Sequence, residues 1–139
     1  VRHSAWLAAV PEAAAHEKQQ RTSRLERLRE LHKDPDYQPD MPSVEGAAYL
    51  LGYLFDVGPV LAAGMGPGPI TYTELAAWCQ LHSIELEPWE VQFMRRLSFE
   101  YLNELRAAEQ PDRPAPWGVV RAQFTATNMR AQIAALANL

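Results

Sequence analysis

The 139-residue chain holds a single cysteine, Cys79. This excludes an internal disulfide and leaves too few thiolates for a structural zinc site. No apolar run approaches the roughly 20 residues that a membrane span needs, and the opening residues lack the pattern of a secretory signal. No stretch alternates β-branched and polar residues over a strand's length, so little sheet is expected. The alternating Gly64, Gly66 and Gly68 match neither phosphate-loop spacing, no lysine follows them, and Pro67 and Pro69 remove backbone donors. That stretch reads as a structural turn. Cys79 and His82 supply at most two ligands of a tetrahedral set. No carboxylate pair or nucleophilic triad can be placed, so neither an enzymatic reaction nor a cofactor or metal is expected.

What is present is a normal apolar fraction, 47%, in a length suited to one modest core. Charge divides the chain. Residues 1–33 carry a net +3, residues 34–112 a net −10, and residues 113–139 a net +3 with no acid at all. An overall pI near 5.5 disfavours the usual nucleic-acid footprint. The expected organisation is an N-terminal basic helical arm (1–33), a Pro-rich linker (34–43), a helical core (44–117) and a C-terminal helix or tail (118–139). The fold class is read as all-α: a small bundle of four to five helices with an extended N-terminal helical arm.

The arm is free of Gly and Pro from Glu12 to Lys33 and is rich in helix formers. Leu25, Leu28 and Leu31 give it one narrow apolar stripe to dock with, and Trp6 and Leu7 with Ala13 to Ala15 a second, weaker contact. Pro35, Pro39 and Pro42 mark an extended linker. Ser43 is placed to cap a helix from Val44 that Gly58–Pro59 ends. Thr71 and Glu74 form a T-x-x-E start for a helix from Tyr72. Glu87 followed by Pro88 starts the most amphipathic helix, about 22 residues long, with Trp89, Phe93, Leu97 and Tyr101 at four-residue spacing and Arg95 and Arg96 between them. Glu100–Arg96 and Glu104–Arg106 read as surface ion pairs.

The stretch from Ile70 to Trp117 resembles the small tail assembly chaperones of long, non-contractile-tailed bacteriophages and prophages. The resemblance is carried by the capped helix with Trp78 and the Leu86, Pro88, Glu90 element. The run of Arg95, Leu97, Ser98, Glu100 and Tyr101 and the closing Pro114 to Trp117 complete it. It implies a helical protein of the bacterial host cytoplasm that binds the tape-measure protein, keeps it soluble and helps recruit tail-tube subunits. Trp89, Phe93, Leu97 and Tyr101, with Arg95 and Arg96, are then the candidate client groove, and Leu25, Leu28 and Leu31 a second contact face. A homo-oligomer stays open as a partner state; no membrane is expected.

Two other readings compete. A structural subunit of the virion would use its basic ends to reach neighbours, and would be found at stoichiometric levels in purified particles. A nucleic-acid-binding regulator would use the helix pair from Tyr72 to Ala108, but Glu90 at the start of its second helix would repel phosphate.

Overall fold

The computed structural model describes residues 1–12, 22–64 and 66–117. The expected contact of Ala13 to Ala15 and the expected helix or tail at 118–139 lie outside them. In chain order the elements are α1 (Arg2–Ala8), α2 (Arg24–His32), α3 (Ala48–Val57), β1 (Val60–Ala63), β2 (Gly66–Pro69), α4 (Tyr72–His82) and α5 (Pro88–Ala107).

The fold is mostly helical but not strictly all-α. The Gly/Pro segment that reads as a turn is part of a two-stranded antiparallel hairpin, with Val60 opposite Pro69 and Ala63 opposite Gly66. Both strands are edges, and edges are where a sheet tolerates the missing N–H groups of Pro67 and Pro69. The carbonyl of Pro67 accepts from Nη2 of Arg106 at 3.0 Å.

Two start signals act as the sequence suggests. Thr71 accepts from the amide of Glu74 at the head of α4. Glu87 caps α5, Pro88 occupies its first turn, and the Glu90 carboxylate returns to the Glu87 amide at 2.7 Å. The N-terminal segment differs from the expected unbroken helix. Ser23 and Glu26 form a complete capping box, so α2 begins afresh at Arg24 from an extended Ser23. The helix expected from Val44 begins instead at Ala48, because Gly46 sits at φ +79°, outside helical backbone. Residues 43–47 therefore remain irregular. The segment after α2 folds back on it: His32 stacks on Tyr37 with ring centres 3.9 Å apart, and Nε of Arg29 donates to the Tyr37 carbonyl.

α5 organises two hydrophobic clusters along its length. Its N-terminal half places Met94 with Leu50 and Leu54 of α3, Ile70 after the hairpin and Leu75 of α4. Its C-terminal end places Ala108 with Trp6, Leu7, Ala9 and Ala115, against which Leu25, Leu28 and Leu105 pack. Arg24 joins α2 to this end. It donates to the carbonyls of Ala108 and Gln110, where a cation suits the negative end of a helix, and its guanidinium lies 4.7 Å from the centre of the Trp6 ring.

Ser98 fastens the hairpin to α5. Fully buried, it donates to the Pro59 carbonyl at 2.7 Å and accepts from the Ile70 amide at 2.8 Å. In Ser98→Ala both groups lose this partner, and an unsatisfied buried donor costs about 1–3 kcal/mol. The expected loss is about 2 kcal/mol, read as a lower urea midpoint at unchanged slope. A midpoint equal to that of the wild type would show that this hydroxyl does not hold the hairpin.

Candidate functional site

The placement of the α5 side chains follows from helix geometry. Residues four apart are rotated by about 40° relative to one another, since each residue advances about 100°. Trp89, Phe93, Leu97 and Tyr101 therefore wind about 120° around α5 rather than forming a straight stripe. Trp89 at the start is 56% exposed, Phe93 is 37% exposed, and Tyr101 at the far end is buried. Leu97, between them, packs against the α3–α4 cluster. Burial pushes the Tyr101 hydroxyl's pKa up, in keeping with a core position.

The same winding separates the two arginines. Arg95 turns toward α4, its guanidinium 4.0 Å from the centre of the Tyr72 ring and 5.9 Å from that of Phe99. Arg96 is exposed and lies about 60° around the helix from Phe93. Leu25 and Leu28 belong to the cluster around Trp6, whereas Leu31, six residues beyond Leu25, has rotated out and is exposed. The candidates thus divide among a groove, two cores and open surface.

The groove forms around Phe93 and Leu97. With Glu100 these residues line one side of α5, and Leu51 of α3 adds to the floor. The opposite walls come from parts of the chain that sequence periodicity did not mark: Pro42 and Val44 in the irregular approach to α3, Val1 to His3 at the head of α1, and Pro116–Trp117. Its volume is about 480 Å³, within the range of ordinary ligand sites. Val44, Phe93 and Trp117 are all exposed there. Glu45 and Glu100 supply negative charge at the rim, and Arg2 is committed to Glu104 at 3.0 Å.

His3 is the polar residue in this groove that the sequence did not single out. It is 3% exposed, stacked on Trp6 with ring centres 6.0 Å apart and edge-on to Trp117 at 5.8 Å. Among the described residues neither of its ring nitrogens has a hydrogen-bond partner. Burial, and secondarily the neighbouring amino group, hold its pKa below the ordinary imidazole value, so at neutral pH the ring is uncharged. It offers one donor and one acceptor inside an apolar trough. Its i, i+3 relation to Trp6 was the only sequence signal that could have flagged it.

Other features are less suited to a partner. The cleft of Glu26, Arg29, Glu30, Lys33, Asp34 and Pro35 is walled by solvated charges. The Cys79 thiol is pushed up by burial, away from reactivity, and the His82 ring stacks on Trp78 with centres 4.8 Å apart. Among the described residues no group of three or more His, Cys, Asp or Glu is placed to hold a metal ion, and no helix is long and apolar enough to cross a membrane. Glu90, at the head of α5, accepts from the Tyr49 hydroxyl.

Comparison with known proteins gives a family match. A family model described as phage tail assembly chaperone covers residues 26–103, more than half of the chain, from α2 through most of α5. No curated protein and no solved structure matches significantly. The matched span contains Val44, Leu51, Phe93, Leu97 and Glu100; the walls from Val1 to His3 and Pro116–Trp117 lie outside it.

Proposed function

The chain belongs to the phage tail assembly chaperone family, and from that premise we propose that the groove around Phe93 and Leu97 binds an amphipathic helix of the tape-measure protein. The observation that carries this reading is the exposure of Val44, Phe93 and Trp117 around one apolar trough. A helical client with an apolar face gains by burying that face in such a groove. A long protein with many such faces aggregates unless they are covered. The net −10 of residues 34–112 keeps coated complexes apart by mutual repulsion. In this reading the work is done in the host cytoplasm, tail-tube subunits are the second partner, and no chemical step is required.

Co-expression of the full chain with the tape-measure protein is the test, comparing wild type with a Val44→Asp/Phe93→Asp variant. Leu97 is left intact because it also packs in the core. Each new carboxylate must be desolvated beneath a bound helix, so soluble client is expected to fall at least about tenfold, equivalent to about 1.4 kcal/mol. Circular dichroism of the variant establishes that it is folded. Undiminished client solubility with a folded variant overturns the groove assignment. Stoichiometric amounts of the protein in purified particles would favour the structural-subunit reading instead.

A further inference from the structure

We propose that the outward face of α5 binds an acidic α-helix of a partner protein, on a surface separate from the groove. Spacing defines the face. Trp89, Gln92, Arg96, Phe99, Asn103 and Arg106 follow one another at alternating three- and four-residue steps, the repeat by which one helix tracks another. Such a stripe drifts by only about 20° per heptad, so the six side chains share a sector about 100° wide along most of α5. All six are exposed, Trp89 at 56% and Phe99 at 44%. None of them lines the groove, to which α5 contributes Phe93, Leu97 and Glu100.

Charge identifies the occupant. Residues 34–112 carry thirteen Asp and Glu but only three Arg and no Lys. All three arginines, Arg95, Arg96 and Arg106, lie on α5 in this stripe or at its margin. The acids of α5 lie elsewhere: Glu90 and Glu104 are buried, and Glu100 stands at the groove rim. The surface pairs expected of Arg96 with Glu100 and of Arg106 with Glu104 do not form. Glu104 is taken by Arg2 and Arg113, and among the described residues the remaining ion pair joins His82 to Asp56. Arg95 is held by the faces of Tyr72 and Phe99 instead of by an acid, and its Nε has no partner among the described residues. Cations gathered on one face of so acidic a segment, with no carboxylate among them, complement carboxylates supplied from outside.

The composition of the face fixes the rest. Trp89 and Phe99 offer apolar contact, and tryptophan and arginine are the side chains on which protein contacts most often depend. Gln92 and Asn103 each present a donor and an acceptor, and a guanidinium can take a carboxylate through two bonds at once. A helix with apolar residues on its facing stripe and Glu or Asp along its flanks meets all of these. Three arginines in a segment of net −10 suit a nucleic acid poorly, since its binding grows with the number of phosphates neutralised. The stripe shares no residue with the groove, so this proposal stands or falls apart from the client reading.

The test uses the full chain and two labelled three-heptad peptides with leucine at the core positions. One carries glutamate and the other lysine at the flanking positions, where like charges keep each peptide from pairing with itself. Binding is read by fluorescence anisotropy at low and at physiological salt. The glutamate peptide is expected to bind at least about tenfold more tightly than the lysine peptide, and to weaken as salt rises. Arg96→Glu and Trp89→Ala should each weaken it about tenfold, while Val44→Asp/Phe93→Asp leaves it unchanged. Circular dichroism establishes that the variants are folded. Equal binding of the two peptides overturns the proposal. Glutamate-peptide binding that ignores both α5 substitutions, or that is lost in the groove variant, places the contact elsewhere and also overturns it. Two further outcomes would do the same: tighter binding of a single-stranded oligonucleotide with the same sensitivity to Arg96→Glu, or self-association of the chain that Arg96→Glu abolishes.

Discussion

Replacing Glu104 with alanine is expected to destabilise the protein by about 2–4 kcal/mol and to loosen α1 from α5. The carboxylate is 2% exposed and is held by two arginines distant in sequence from each other. Arg2 donates to Oε2 from Nε at 3.2 Å and from Nη2 at 3.0 Å. Arg113 donates to Oε1 and Oε2, each at 3.0 Å. This one side chain therefore ties both α1 and the segment after α5 to the helix. Hydrogen bonds to charged groups contribute about 1.5–3 kcal/mol each. The loss stays below the worst cases of a broken buried pair because both arginines reach solvent and are rehydrated when the carboxylate is gone.

The pH dependence has a definite sign. Burial by itself would raise the Glu104 pKa, but the hydrogen bonds and charges of Arg113 and Arg2 outweigh it, and the net shift is downward. The unfolded chain then takes up this proton at a higher pH than the folded one. The stabilisation is fully present above the ordinary carboxylate range and is lost as pH falls through it toward the lower folded value. Urea unfolding of wild type and Glu104→Ala at neutral pH should differ by the full amount. The gap should close as the solution is acidified below the ordinary carboxylate range. A gap that is constant with pH would mean that packing, not charge, holds this contact.

The legible parts of the fold were those written in local sequence. Thr71 with Glu74 and Glu87 with Pro88 announce α4 and α5, and those starts depend on neighbours within four residues. The capping box of Ser23 and Glu26 has the same form and was equally available, but the uninterrupted helix-forming composition around it concealed the restart at Arg24. Gly46 was the local sign that α3 could not begin at Val44, and the irregular approach that results carries Val44 to the groove.

What was not legible depends on distant partners. Glu104 is two residues from Arg106 and looks like one of a surface pair; its burial is decided by Arg2 and Arg113, 102 and nine residues away. The four-residue spacing from Trp89 to Tyr101 includes Phe93 and Leu97, which line the groove, but spacing alone does not tell which step of a winding series meets the core. That depends on where α3, α4 and α1 settle around α5. The strands were hidden for a different reason: Gly-Pro-Gly-Pro carries no alternation of apolar and polar side chains, and its pairing with Val60 to Ala63 is set by backbone geometry and by Ser98.

Tryptophan illustrates the same division and gives the largest expected contrast. Trp89 was conspicuous on the amphipathic helix, and Trp6 lay in a segment read as a weak contact. Trp6 is 7% exposed; His3 stacks on one side of the cluster, Arg24 lies over the ring, and its indole N–H donates to the Arg113 carbonyl at 2.9 Å. Trp6→Ala removes a large buried ring together with that bond and is expected to cost about 3–5 kcal/mol. Trp89→Ala removes a ring that is mostly in water and should stay within about 0.5 kcal/mol. Paired urea titrations measure both. Because Trp6 anchors the helix whose first residues wall the groove, Trp6→Ala should also weaken client solubilisation in conditions where the α3–α4 cluster still holds. Equal stability of the two variants would show that α1 is not part of the cooperative fold, and that the groove lacks the wall assigned to it.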